Sequence, residues 1–482
     1  MLLDTHSCYR AFAARDARFD GRFFTGVTST GVYCRPVCPA KVPKPENCRF
    51  FPSAAAAEAA GFRPCLVCRP ECAPGEAPSE AGGRLADAAA GLIAEGGLDE
   101  AGLGAICVRL GVSERHLRRV FRERFGVTPV AYAQTRRLLL AKALLADTRL
   151  SVTDVAFASG FSSLRRFNAL FRNRYRLAPS QLRRPGADSA LADAVPVVEL
   201  GYRPPYDWDG LRAFLAARAV DGVEEAGDGA YRRTLRLWRN GAPHAGWLAV
   251  SPAAGKNALR VAVAPALLPV LPAVLARVSH LFDLSCDPWA VAAGLSGLAD
   301  GQEGVRLPGT AEGFETTVRA ILGQQVTVAG ARTLAGRFAA AFGAPLSTPF
   351  AGLTTLFPDP ATVAALSVEA IATLGVIASR ARAILALAEA VRDGRLTLAP
   401  TADLAASLDT LRALPGVGEW TAQYVAMRAL GWPDAFPHGD GGLKKALGET
   451  DPKRILRTAE AWRPWRAYAV MHLWRTLSGA PK

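Results

Sequence analysis

The sequence predicts a multidomain α+β protein: a small four-cysteine domain, an all-helical segment with a doubled helix-turn-helix, then a strand-rich subdomain followed by a helical one. Three observations predict this. Four cysteines fall in two close pairs before residue 69. A plan of helix, glycine turn and serine-capped helix occurs twice between residues 99 and 175. Past residue 196, period-two apolar alternation gives way from Gly313 onward to apolar residues three and four apart.

The chain of 482 residues is too long for a single core, since domains run to about 150 residues each. Half the residues are apolar and 21% are charged, an ordinary globular composition that excludes a disordered chain. Two stretches cannot support a core and read as linkers: Ala73 to Gly83 (APGEAPSEAGG) and Arg184 to Val195 (RPGADSALADAV). The expected divisions are 1–75, 84–184, 196–305 and 306–482.

The net charge of +14 and pI near 9.7 favour a polyanionic partner. Residues 81–185 hold 18 Lys and Arg against 8 Asp and Glu, so the helical segment is the electrostatic footprint. The amino terminus, MLLDTHSCYRAF, lacks a basic region leading into an apolar one, so no secretory signal is read there. The most apolar stretch, Ala266 to Phe282, is interrupted by Pro269, Pro272 and Arg277, so no membrane span is expected and the location is read as cytoplasmic.

In the first domain, Cys34-x3-Cys38 and Cys65-x2-Cys68 are separated by 26 residues. Clustering of this kind in a reducing compartment points to metal ligation before disulfides, and two close pairs supply the four corners of a tetrahedral zinc site. Spacing alone favours a structural zinc. The segments STGVYCRPVCPAK and AAGFRPCLVCRPE, however, closely resemble the amino-terminal domain of Ada-type methylphosphotriester repair proteins over roughly residues 8–72. The resemblance implies that the matching thiolate, Cys34, is a methyl acceptor as well as a ligand, and that Arg63 and Lys41 contact phosphates. Zinc holds sulfur deprotonated, as such a nucleophile needs. Four thiolates around Zn2+ carry a charge of −2, which methylation of one sulfur reduces to −1. Weaker repulsion of DNA would turn damage into a regulatory signal. Cys8, Cys48 and Cys72 have no place in the four-ligand scheme and read as ordinary thiols.

In the helical segment, DEAGLGAICVRLGVSERHLRRVFRERF turns at Gly111 and is capped by Ser113, while SVTDVAFASGFSSLRRFNALFRNRY turns at Gly160 with Ser162 as the expected cap. The two units, joined by a helix over Ala131 to Leu145, resemble the AraC-type regulator domain. Arg115, Arg118, Arg119, Arg165 and Arg166 lie near the starts of the second helices, where a recognition helix meets bases and phosphates. The resemblance implies promoter DNA and RNA polymerase as partners.

In the last part, Tyr231–Trp238 and Leu259–Val263 alternate as half-buried strands do. Leu414-Pro415-Gly416-Val417-Gly418 between two helical patterns is a hairpin whose second helix offers free amides to an anion. Asp440 follows Gly418 by 22 residues. Together with RPPYDWDGLRAFLAARAV, RLPGTAEGFETTVRAILGQQV and RPWRAYAVMHLW, the hairpin and aspartate make residues 197–478 similar to the AlkA-type, 3-methyladenine DNA glycosylase II group of the helix-hairpin-helix superfamily.

By that resemblance Gly416 and Gly418 contact the DNA backbone and Asp440 is the catalytic carboxylate. The same match places Trp420, Tyr424 and Trp474 in the pocket that holds an extruded, cationic base by cation–π attraction. Trp420 stands where lyases carry a Schiff-base lysine, so strand nicking is not expected, and the glycosylase needs no cofactor beyond the zinc of the first domain. Gln325, in the LGQQV turn, replaces the family's apolar wedge. The alternative reading is a regulator whose last part binds DNA without cutting it.

Overall fold

A computed structural model of the chain describes residues 4–74, 84–100, 102–182, 195–295 and 297–477. The two expected linkers lie almost wholly outside these residues.

The first domain opens with α1 (Thr5–Ala13), whose first turn is capped by Asp4 accepting the Ser7 amide. Strands β1 (Phe24–Val27), β2 (Val32–Cys34), β3 (Cys48–Phe51) and β4 (Arg63–Pro64) form a sheet in the order β3-β1-β2-β4. The β2–β4 pair is parallel and sets Val32 opposite Arg63, so the two cysteine-bearing segments leave the same sheet edge together. Helix α2 (Ala54–Ala59) begins at the Ser53 cap.

The helical segment comprises α3 (Arg84–Ala94), α4 (Gly102–Leu110), α5 (Glu114–Phe125), α6 (Pro129–Asp147), α7 (Val152–Ala158) and α8 (Leu164–Tyr175). Gly111 and Gly160 both adopt the left-handed conformation the turns require. Ser113 caps α5 through the His116 amide, as expected. The cap of α8 is Ser163, which accepts the Arg166 amide, and not Ser162. Phe161 is drawn inward against Phe167, with ring centroids 5.1 Å apart, and this lengthens the second turn by one residue.

The last part begins with β5 (Val197–Gly201), α9 (Trp208–Ala216), β6 (Glu224–Gly227), β7 (Ala230–Arg239), β8 (Ala242–Pro252) and β9 (Ala258–Val263). They build an antiparallel sheet in the order β5-β9-β8-β7-β6, backed by α10 (Leu271–Leu281). Both strands expected from alternation lie within β7 and β9. The helical subdomain contains α11 (Gly313–Leu322), α12 (Val328–Phe342), α13 (Ala378–Arg392), α14 (Leu404–Ala413), α15 (Glu419–Arg428), α16 (Gly441–Leu447) and α17 (Arg466–Leu477). A buried ionic net locks sheet to helices: Arg233 pairs with Glu315 at 2.6 Å and Glu224 at 3.3 Å, and Arg319 reaches Glu224 at 2.9 Å. Each buried charge is thereby matched by a partner, as burial demands.

The apolar cores do not follow the divisions read from the sequence. Phe24, Tyr33 and Phe62 of the first domain share one core with Leu92, Phe121 and Ala133 of the first helix-turn-helix unit. Leu138, Leu145, Phe167 and Phe171 of the second unit share another with Val198, Leu248 and Leu271 around the sheet. Helix α6 runs from one into the other, fastened by Thr135 donating to Glu58 at 2.9 Å and by a buried Lys142–Glu71 pair at 2.6 Å. No helix among the described residues is long and apolar enough to cross a membrane.

Candidate zinc centre, DNA-reading helices and carboxylate pocket

Cys34 ends β2, Cys38 follows in the next loop, and Cys65 and Cys68 leave β4; their sulfurs all lie within 4.8 Å of one another and are buried. Four sulfurs at such separations fit a tetrahedral ion with bonds of about 2.3 Å, so the expected ligand set is brought together as a zinc site. Arg35 clamps the two halves. Its amide donates to Cys68 Sγ at 3.3 Å, its Nη1 to the Cys68 carbonyl at 3.1 Å, and its Nε to Asp20 at 2.9 Å. Cys65 Sγ accepts the Val67 amide at 3.4 Å, and Cys38 is lowered first by hydrogen bonding with Cys34 and more weakly by an amide at Ala40. Among the described residues no backbone amide donates to Cys34 Sγ.

Cys8 and Cys48 are buried in the same small core as the ligands, and burial pushes Cys8 and Cys72 up to about 11, so these remain protonated thiols. Arg63 is half-buried on β4, while Lys41 is exposed in the loop after Cys38. Tyr33, beside Cys34, donates its hydroxyl to buried Glu58 at 3.1 Å, and Tyr175 at the end of α8 reaches the same carboxylate at 3.4 Å. Burial pushes Glu58 up to about 7 against these hydrogen bonds.

Arg115, Arg118, Arg119, Arg165 and Arg166 are all exposed, in the first two turns of α5 and the first turn of α8. Arg118 pairs with Glu114 and Arg119 with Glu123, each at 2.8 Å along the helix.

The hairpin forms as expected. Gly416 takes φ +76°, in the left-handed region, and Gly418 caps α15 with open space where a side chain would stand. Asp440 is the N-cap of α16, with Oδ1 accepting the Leu443 amide at 3.0 Å. The same carboxylate accepts two indole donors: Trp474 Nε1 on Oδ1 and Trp420 Nε1 on Oδ2, both at 3.0 Å. Tyr424 stacks on Trp420 with centroids 5.3 Å apart, and Trp474 stands 6.5 Å from Tyr424. Three rings and one acid, spread over 55 residues of sequence, therefore meet in one place.

Sequence reasoning missed the arginines beside these rings. Arg428 Nη1 donates to Tyr424 Oη at 2.9 Å, and Arg218 lies 3.7 Å over Phe214, which stacks 6.3 Å from Trp474. Burial alone would raise the Tyr424 hydroxyl, but Arg428, Arg218 and Arg319 outweigh it and hold the hydroxyl below the usual tyrosine range. Phe214 and Arg218, four residues apart in the matched RPPYDWDGLRAFLAARAV stretch, were the available signal. Gln325, in the turn between α11 and α12, is exposed at φ +56°.

Comparison with protein-family models matches residues 7–71 to the metal binding domain of Ada, 106–185 to a helix-turn-helix domain, 197–312 to the AlkA N-terminal domain and 318–461 to the HhH-GPD superfamily of base excision DNA repair proteins. The chain is similar to a "Probable bifunctional transcriptional activator/DNA repair enzyme AlkA" of Mycobacterium tuberculosis, 41% identical over 98% of this chain and 97% of the relative. It is also similar to DNA-3-methyladenine glycosylase 2 of Escherichia coli, 38% identical over 58% of this chain and 98% of that one. Among solved structures, a 3-methyladenine DNA glycosylase from Archaeoglobus fulgidus covers 58% of the chain at a TM-score of 0.51 and 20% identity, which shows a shared fold. The identity that extends across almost the whole of both chains, together with the four matched domains, places this protein in the family of bifunctional Ada/AlkA-type transcriptional activators and DNA repair enzymes.

Proposed function

We propose that the chain repairs alkylated DNA in two ways and reports the damage to the transcription machinery. Its last part is a monofunctional glycosylase of the 3-methyladenine type that hydrolyses the N-glycosidic bond of bases alkylated at ring nitrogens. Its first domain takes one methyl group irreversibly onto Cys34, and its paired helix-turn-helix units direct repair genes through contact with RNA polymerase in the cytoplasm.

The observation that carries the excision reading is the carboxylate of Asp440 held between the N–H donors of Trp420 and Trp474. An alkylated purine is a good leaving group, so the task left to the protein is to stabilise positive charge on the sugar and aim a water at it. Asp440 serves both, and the indoles fix its orientation. The rings of Trp420 and Trp474 offer faces for the extruded base beside Tyr424, whose own ring is stacked on Trp420 and lies under Arg428, while Arg218 covers Phe214. With Trp420 in place of a lysine, the base is released and the abasic sugar stays in an uncut strand.

In methyl transfer, a Cys34 sulfur lone pair forms the S–CH3 bond while the methyl–oxygen bond breaks and its electrons return to the phosphate, leaving an ordinary diester. Zinc, when bound by the four cysteines, keeps these sulfurs deprotonated. The amides on Cys38, Cys65 and Cys68 damp their nucleophilicity, and Cys34 is the sulfur left available. Arg63 and Lys41 would seat the damaged backbone.

Release of 3-methyladenine and 7-methylguanine from methylated duplex tests the first activity: wild type should release both and Asp440→Asn should not. Equal release by the two proteins ends the assignment. Mass spectrometry after exposure to DNA carrying methylphosphotriesters should find one added methyl on Cys34; none there leaves the zinc purely structural.

A further inference from the structure

Arg137, half-buried on α6, has cationic neighbours from two different parts of the chain. Burial first, and then the charges of Arg166 in the first turn of α8 and of Arg239 at the end of β7, hold its guanidinium below the usual arginine range. A strand of the sheet subdomain thus brings an arginine to the start of a DNA-reading helix. Packing fixes this approach. Helix α7, which precedes α8, lies against the short helix Pro265–Val270, and that helix lies against β7 and β8. Val155 of α7 and Leu267 share one core. Arg239 Nη1 donates to the Pro269 carbonyl, and the Asn240-Gly241 tip that follows has both residues in the left-handed backbone of a tight hairpin turn.

The two reading helices differ in how their charge is balanced. On α5, Arg118 and Arg119 are each paired with a glutamate of the same helix. Helix α8 carries no acid, and among the described residues neither Arg166 nor Arg239 has a carboxylate partner. Like charges crowded at a surface cost free energy in the free protein, and an anion that spans them relieves it. Duplex DNA offers such anions in a row. The bond to Pro269 engages one donor of the Arg239 guanidinium and leaves the others of its fork for an anion.

We propose that the β7–β8 hairpin of the sheet subdomain is a phosphate-binding extension of the second reading helix. Duplex DNA seated on α8 runs on across Arg137 and Arg239, so the glycosylase sheet supplies part of the promoter reader's footprint. The proposal rests on the reading of α8 as a DNA-contacting helix.

The test uses the full chain on an undamaged duplex of random sequence, with affinity followed by anisotropy over a range of salt. Arg239→Gln should lower the slope of log affinity against log salt by about 0.9, the contribution of one phosphate, and Arg239→Lys should restore it. In a chain already carrying Arg165→Ala and Arg166→Ala, the same Arg239→Gln should change the slope far less, because DNA is no longer held beside the hairpin. Ala242 is exposed directly across the strand pair from Arg239, so a photo-crosslinking benzophenone introduced as Ala242→p-benzoylphenylalanine should capture the duplex, and should lose it when the two α8 arginines are removed. Release of alkylated bases should stay at the wild-type level in Arg239→Gln. An unchanged slope in that variant overturns the proposal, and so does a loss of equal size with and without the α8 arginines, which would give the hairpin to DNA held by the glycosylase alone. Should the urea midpoint of Arg239→Gln fall, the crosslink decides, and its absence overturns the proposal. If Arg165→Ala with Arg166→Ala leaves the slope at its wild-type value, α8 does not hold DNA, and that underlying reading fails together with the proposal.

Discussion

Trp474 donates its indole Nε1–H to Asp440 Oδ1 at 3.0 Å, and that oxygen also accepts the Leu443 amide that begins α16. Asp440 thus has two duties, one to the helix and one to the pocket, and they can be separated by substitution. Asparagine caps a helix as well as aspartate does, whereas alanine does not. Asp440→Asn should therefore keep wild-type stability and lose base release by about 10²–10⁴-fold, the range for a positioned acid or base. Asp440→Ala should lose a similar rate and in addition about 1 kcal/mol of stability. Rate assays paired with urea unfolding check both, and an Asn variant that unfolds early would show that the charge serves the fold.

Zinc removal should divide the molecule. Cys8, Phe12 and Phe23 share one small core with the four ligands, whereas Phe314, Leu411 and Met427 belong to the separate core of the helical subdomain. Chelation, or Cys38→Ser, is expected to abolish methyl uptake and to loosen the small core around the four ligands ahead of the rest of the chain, with base release retained. Excision that falls in step with zinc loss would refute the separation.

The exposed arginines of α5 and α8 should report through salt. Each phosphate contact removed lowers the slope of log affinity against log salt by about 0.9, so Arg115→Ala and Arg165→Ala should each flatten it by that amount if they touch phosphate. A residue that reads a base should also relax sequence preference. Fluorescence anisotropy on duplexes over a range of salt measures both effects.

Glu58 predicts a dependence on pH. Its folded value near 7 lies above the ordinary 4.5, so between these the folded chain binds the extra proton. Its contribution to stability is complete below about pH 4.5 and is lost as pH rises through 7, by roughly 3 kcal/mol in all. Buried His280, lowered to about 4, slopes the other way between 4 and 6.5, so the diagnostic quantity is a difference. Glu58→Gln should gain stability relative to wild type as pH is raised over this interval, read from urea midpoints, and a constant difference would contradict the raised carboxyl.

The Lys142–Glu71 pair is 4% and 3% exposed. Glu71→Gln alone strands the buried Lys142 charge and should cost about 3–5 kcal/mol, Lys142→Met alone should cost less because Glu71 keeps Arg69 at 3.1 Å, and the two together should recover most of the Glu71→Gln loss. Additive losses in thermal unfolding would mean that the two charges do not depend on each other.

Much of this architecture was legible because it is local. Ligand spacing in Cys34-x3-Cys38 and Cys65-x2-Cys68, the glycine turns, the Ser113 cap and the Gly416–Gly418 hairpin are set by neighbours along the chain. The second cap was misplaced by one residue because Ser162 and Ser163 are equally good caps in isolation, and only the inward pull of Phe161 toward Phe167 decides between them. Asp440, Trp420, Tyr424 and Trp474 could be grouped by resemblance. The approach of Arg218 to Tyr424 could not, since it depends on how the sheet subdomain docks against α15, whereas Arg428 stands four residues after Tyr424 on that same helix. The burial of Glu58 was equally invisible: in an alanine-rich helix it reads as a surface charge, and only the docking of α6 and α8 encloses it.

Helix α6 passes its first half into the zinc-side interior and its second half into the interior beneath the glycosylase sheet. The promoter reader is consequently no detachable cassette. Excised from its neighbours it would bare Leu138, Phe167 and Phe171 on one flank and Leu92 and Phe121 on the other, and would aggregate unless those flanks were resurfaced. Anyone transplanting this transcriptional module into another protein would have to carry a repair domain along on each side.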